Sequence, residues 1–238
     1  MYGDMTRFWK DKQYEKFSTV DVKNILLKRG YKILETNDDF RYDLLVEKND
    51  KQQKVEIKQD FSCYFTNNIG VEYETRDKPS GIMISKADLY IYKVYQNPRY
   101  LKKAKNEKVL KEVKIFSIDK LKLKHCIKYL LEIEKEYIED KELTLTDFIE
   151  EDEDVNFNEF NIWEIEYQNK TYEVEVKFVN GGDRGSNSLN IIFKRKDFIE
   201  NFMLEEFVNR NQTKQEREIL KNFKQFISKK NSSYYGGV

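Results

Sequence analysis

Between residues 41 and 58, apolar and polar positions alternate in two short runs separated by a polar step. Tyr42, Leu44 and Val46 share one face of the first run, and Val55 and Ile57 alternate likewise in the second. Asn49 and Asp50 fall between them, where a turn is expected. The pattern predicts a β-hairpin closed by a loop of about four residues. Such a loop sets Asp43 opposite Lys58 and Leu45 opposite Glu56. Directly opposed residues share a face, and diagonal neighbours lie within roughly 7–8 Å. Asp43, Glu56 and Lys58 are therefore expected together on one pleated face.

The flanking pattern supplies the other elements. Residues 8–29 follow a helical period without proline, with Phe17, Val20 and Leu27 in the apolar stripe and Val22, Ile25 and Leu26 beside them. Gly30 is the stop, and Lys28 and Arg29 suit the negative end of the helix. A short strand is expected at 31–34, a loop at 61–68 and an alternating strand at 69–75. Pro79-Ser80-Gly81 is a turn signal, with Ser80 as the cap of a new helix. Strands at 89–94 and 113–118 and a helix at 121–138 follow. Then come a second hairpin around Gln168–Lys170, a strand at 189–193, a helical region at 197–227 and a frayed end from 231. The fold class is α+β (α/β), a mixed central sheet flanked by helices, with one main domain over residues 1–200. Residues 201–238 form a C-terminal helical extension and tail.

Charge changes this picture little. The 238 residues balance 43 Lys and Arg against 43 Asp and Glu, so bulk charge gives no vote for nucleic acid. Locally the charge segregates. Lysines crowd residues 100–129, which suits tracking of a phosphate backbone. Residues 132–160 are acidic, densest at Glu150–Asp154, and read as a solvated insertion. The two cysteines make no disulfide or metal framework, which points to a reducing compartment. No apolar run approaches the ~18 residues of a membrane span, and the N-terminus does not read as a signal peptide. A cytoplasmic protein with no membrane partner is expected.

The shared face of the first hairpin carries the chemistry. Two carboxylates can hold a divalent cation through oxygen, as Mg²⁺ prefers. Such an ion polarises a phosphodiester and lowers the pKa of a bound water. A lysine beside it can orient the water or stabilise developing charge. A charged surface hairpin is the plain alternative in a chain with 36% charged residues.

The arrangement Asp43…Glu56-Ile57-Lys58 resembles the PD-(D/E)xK nuclease superfamily. The stretch from Thr66 to Tyr92 resembles phage and bacterial members related to Holliday junction resolvases. The resemblance covers residues 10–118, with a weaker echo at 181–198. It implies a restriction-endonuclease-like αβββαβ core and Mg²⁺-dependent DNA hydrolysis, with Mn²⁺ as a substitute and metal ligands at Asp43 and Glu56. Arg41-Tyr42 stands where many members have a proline before the Asp. The resemblance also implies a further metal-ligating glutamate on the first helix. Glu15 matches by placement, and Asp21 is the runner-up. Because a four-way junction needs two matched cuts, it implies a homodimer acting on branched DNA.

The remaining candidates are weaker. Ser80 and Lys86 can contact a DNA backbone, and so can Arg184 in the glycine-rich loop 181–186. Asp60 returns to the hairpin's charged face and could position Lys58 or a second ion, and Glu72 is a minor candidate. The second hairpin holds another E-x-K, Glu175 to Lys177, with Glu173 beside it. No carboxylate falls opposite Lys177, and a two-residue turn would oppose Glu175 with Glu164, a repulsive pair unless a metal bridges them. His125, the only histidine, has no visible partner for nucleophilic chemistry. The rival function is a catalytically silent module that keeps a nuclease fold and binds DNA or protein.

Overall fold

The computed structural model describes residues 18–37, 42–97, 112–144, 157–180, 188–222 and 224. Helix α1 (18–28) ends where glycine permits it. Gly30 has φ +81°, and Gly30 and Tyr31 donate their N–H groups back to Leu27 O and Leu26 O, closing a Schellman cap. The buried face of α1 is Ser18, Val22 and Leu26. Val20 and Leu27, expected in the stripe, are 54% and 52% exposed.

Three strands follow: β1 (Lys32–Thr36), β2 (Leu44–Lys48) and β3 (Lys51–Asp60). The chain then passes through α2 (Cys63–Thr66), β4 (Asn68–Thr75), β5 (Lys78–Pro79) and a 3₁₀ turn (Gly81–Met83) before β6 (Leu89–Gln96), which runs parallel to β3. A parallel pair needs a long crossover. Here the crossover, residues 61–88, contains no helix longer than the four residues of α2. The helix expected from Ser80 is only the 3₁₀ turn, and Ser80 makes no side-chain cap to it.

Next come β7 (Glu112–Ile118), α3 (Lys120–Thr144), β8 (Asn161–Tyr167), β9 (Lys170–Asn180), β10 (Ser188–Lys194), α4 (Arg195–Phe202) and β11 (Met203–Asn211). A last helix, α5, covers 214–222. The strands form two sheets. The first has the order β1-β2-β3-β6-β7-β11, antiparallel except for β3–β6, and the second has the order β5-β4-β10-β9-β8. The protein is thus a mixed α+β fold.

Strand β11 corrects the expectation of a wholly helical C-terminal region. It pairs with β7 and is the sixth strand of the first sheet, with Phe207 in its core. The pattern hides it because it is mostly exposed at a sheet edge. The acidic stretch begins as the second half of α3, and residues 145–156 lie outside the described residues.

Two cores share the first sheet. On one face α1 supplies Val22 and Leu26 against Leu44, Val46, Val55, Ile91 and Ile115. On the other, Tyr90, Tyr92 and Phe116 pack against Val71, Phe193 and Phe198 of the second sheet and α4, with Leu123 and Ile127 of α3. Strand β6 is buried on both sides, which is why its sequence reads as a continuous apolar run. Lys93 in that run is fully buried. Its ammonium meets Asp21 at 2.8 Å and Glu216 at 3.0 Å, and Arg210 bridges the same two carboxylates.

Candidate active site

The turn decides where the charges land. Asn49 and Asp50 both take positive φ (51° and 57°), the two-residue turn whose twist matches a hairpin. Lys48 pairs with Lys51 and Leu44 with Val55. Asp43 therefore falls beside Glu56, not opposite Lys58 as a four-residue loop would have it. The displacement is two residues, and a shift of two returns every side chain to its own face. The shared face survives the corrected register.

Asp43 brackets Glu56. Its N–H donates to Val55 O at 2.8 Å, and its Oδ2 accepts the Ile57 N–H at 2.6 Å. The Lys58 Nζ sits 2.6 Å from Glu56 Oε1, with the lysine side chain 42% exposed and the glutamate 13%. Burial works to lower the pKa of Lys58. Glu56 foremost, and then Tyr92 and Asp43, outweigh it and hold that pKa above the ordinary lysine value. The ammonium is thus firmly protonated at neutral pH.

Strand β6 sets Tyr90 beside Glu56 and Tyr92 beside Lys58. Burial raises the Tyr90 phenol well above its usual range, and Glu56, Asp43 and Glu72 raise it further. Glu72 comes from the second sheet. Ser80 Oγ donates to its Oε1 at 2.7 Å, and Gly81 packs on its backbone. A Cβ at Gly81, whose φ is +52°, would come within 2.3 Å of Glu72 O, so only glycine fits. A cleft of about 240 Å³ opens between the sheets, lined by Lys58, Asp60, Glu72, Tyr90, Tyr92 and Asn190 among others.

Asp60 does not serve Lys58. It accepts hydrogen bonds from Ser62 Oγ and from the N–H groups of Cys63 (3.0 Å) and Gly70 (3.2 Å), so it ties the start of α2 to β4. Burial raises its pKa against those three donors. Asp21 lies on the far face of the first sheet in the Lys93 network, so it cannot join Glu56. Glu15 and Arg184 lie outside the described residues, as do the lysines between 102 and 111. Lys86 is exposed on the loop before β6.

The second hairpin also has a two-residue turn, Gln168-Asn169, which opposes Glu164 with Glu173 and not with Glu175. Its E-x-K is engaged in contacts around Phe160 and Lys194. The Lys177 ammonium lies over the Phe160 ring at 5.2 Å, and Glu175 faces Lys194 at 3.5 Å. His125 is held in place, its Nε2 at 2.8 Å from Glu166 O and its ring against Tyr167.

Sequence reasoning missed three residues here. Tyr90 and Asn190 reach the cleft only through sheet pairing. Lys120, at the start of α3, lies within electrostatic reach of Asp88 and Glu56. Only the lysine density of residues 100–129 hinted at Lys120.

Among the described residues, no group of three or more His, Cys, Asp or Glu side chains could hold a metal ion. Asp43 and Glu56 supply two. That oxygen-only pair suits Mg²⁺, which is usually held by one or two carboxylates and completed by water and substrate phosphate. Among the described residues, no helix is long and apolar enough to cross a membrane. Compared with known proteins, the chain matches no family model, no curated protein and no solved structure.

Proposed function

We propose that the chain is a metal-dependent DNA endonuclease with a restriction-endonuclease-like core, acting on branched DNA as a homodimer. The observation that carries the reading is the single sheet face on which Asp43 brackets Glu56 and Lys58 reaches Glu56 at 2.6 Å. Asp43 and Glu56 would hold Mg²⁺, or Mn²⁺ in its place. When bound, that ion supplies charge to the phosphodiester and acidity to a water. Lys58 keeps its proton at neutral pH, so it acts as a donor, orienting the attacking water or stabilising charge on the phosphate oxygens. It does not serve as the general base. Tyr90 stays a neutral phenol, because burial foremost, and then the negative charge of Glu56, Asp43 and Glu72, disfavours its phenolate.

The test is incubation with linear, nicked, single-stranded and four-way DNA, with and without Mg²⁺, for wild type and for Asp43→Ala, Glu56→Ala and Lys58→Ala. Cleavage that needs Mg²⁺ and fails in each folded variant is expected. Cleavage that persists in chelator, or in folded Glu56→Ala, would overturn the reading. Equal rates on a four-way junction and on a duplex of equal length would remove the branched-DNA part, and a monomer in light scattering would remove the dimer.

One observation favours a second reading, a catalytically silent DNA- or protein-binding module. Both carboxylates have partners within the protein, Asp43 in Ile57 N–H and Glu56 in Lys58. Calorimetric titration separates the two, since a silent module of this kind takes up no Mg²⁺ that depends on Glu56.

A further inference from the structure

Helix α3 carries a row of charge that its own stability does not favour. Its first twelve residues, KLKLKHCIKYLL, contain four lysines and no acidic residue. Lys120, Lys124 and Lys128 recur every fourth position, so they line one flank at intervals of about 6 Å. Like charges at that spacing repel, and cations in the first turns oppose the helix dipole. Lys86 is exposed on the loop that α3 holds in place. Lys120 donates to Ala87 O and Ser85 O, and Lys124 to Met83 O at 2.9 Å. Burial lowers the pKa of Lys124, and Lys120 and Lys128 on either side lower it further.

Beside the lysines runs a second row, one residue on: Leu121, 67% exposed, then His125, exposed, then Tyr129, 37% exposed. The His125 ring is fixed by its bond to Glu166 O and by Tyr167 at 5.2 Å. The helix therefore sets lysines beside apolar or aromatic surface, Lys128 exposed and Lys120 and Lys124 half-buried with their ammonium groups also on the loop carbonyls, and the row begins at Lys120, whose charge is coupled to that of Glu56. A backbone of regularly spaced anions with accessible flat bases matches both rows, because phosphates neutralise the lysines while bases stack on the ring surface. A duplex satisfies only the first row, since its bases are already stacked within it.

We infer that α3 is a docking surface for an unpaired DNA strand, with Lys120, Lys124 and Lys128 on its phosphates and Leu121, His125 and Tyr129 against its bases. The identity of the polymer rests on the nuclease reading; the surface does not depend on catalysis. The strand leads from the surface of α3 toward Glu56.

Fluorescence anisotropy tests it on the full chain in chelator, where no turnover occurs. The probes are a labelled single strand of about 16 nucleotides and the matching duplex. Lys120→Gln, Lys124→Gln and Lys128→Gln combined should weaken single-strand binding at least about tenfold. The combination should also flatten the salt slope by about 2, from three lost phosphate contacts on a single strand. The corresponding triple arginine variant should bind as wild type, which separates charge from fold, and a thermal melt confirms folding of both. Tyr129→Ala should weaken the single strand more than the duplex. Wild-type affinity in the glutamine variant, no binding by wild type, or a Tyr129→Ala loss equal on both probes would overturn the surface. Cleavage lost in Glu56→Ala with binding intact upholds the nuclease reading separately. Cleavage intact in that variant refutes that reading and leaves the surface standing.

Discussion

Replacing Lys58 with methionine separates the candidate chemistry from the fold. Methionine keeps much of the length of the side chain and removes the charge. The stability cost should be small, because the Lys58 side chain is 42% exposed and its pair with Glu56 is therefore well screened. Pairs of that kind contribute about 0.2–1 kcal/mol. Removing a group that stabilises charge in the transition state costs about 10²–10³ in rate, equivalent to about 2.7–4 kcal/mol. The activity loss should thus exceed the stability loss several-fold when both are expressed as free energy. Metal affinity should move the other way. The ammonium lies 2.6 Å from Glu56 Oε1, so a cation arriving at Glu56 competes with it. Lys58→Met should bind Mg²⁺ at least as tightly as wild type while cutting at least about a hundredfold more slowly. Urea denaturation, calorimetric Mg²⁺ titration and timed DNA cleavage read the three quantities. Wild-type cleavage by folded Lys58→Met would refute the role of the lysine. Weakened Mg²⁺ binding would refute the competition.

Other expectations follow from particular contacts. Glu216, fully buried, is held at about 2 by Arg210, Lys93 and the Thr213 N–H, against burial, which raises it from 4.5. A carboxylate depressed by that much contributes about 3 kcal/mol at neutral pH, all of it present above pH 4.5 and lost as pH falls toward 2. Glu216→Gln should therefore lower stability in urea by about 3 kcal/mol at pH 7 and flatten the acid limb of the stability curve; an unchanged acid limb would contradict the network. Gly81→Ala should cost at least about 1 kcal/mol through its positive φ alone, and should lower cleavage by displacing Glu72; a crystal structure with Glu72 unmoved would remove that explanation. Glu173→Ala and Lys177→Ala should leave cleavage near wild type, and loss of activity in those variants alone would move the site to the second hairpin.

The sequence by itself determined which residues share the charged face. Side chains alternate with period two, so Asp43, Glu56 and Lys58 fall on one side of their strands whether the turn holds two residues or four. It also placed the start of the strand at 69–75, the strand at 113–118 and the end of the first helix at Gly30, because each rests on local patterning or on one residue's φ preference. It could not choose the turn. Asn49-Asp50 supports a tight turn, yet only the pairing of Lys48 with Lys51 fixes the register that sets Asp43 beside Glu56. Nor did local patterning reveal β11, whose alternation is blurred by edge exposure and whose strand state depends on β7. Tertiary structure alone decided that Asp21 belongs to a buried network on the far face. The period of a helix fixes its inner stripe, but not the side of the sheet against which the stripe lies. It decided likewise that Glu72, Tyr90 and Asn190 meet at one cleft. Glu72 and Asn190 are opposed where β4 pairs with β10, and Tyr90 meets them only where the second sheet closes over the first, an arrangement driven by burial of Tyr92, Phe193 and Phe198 between them.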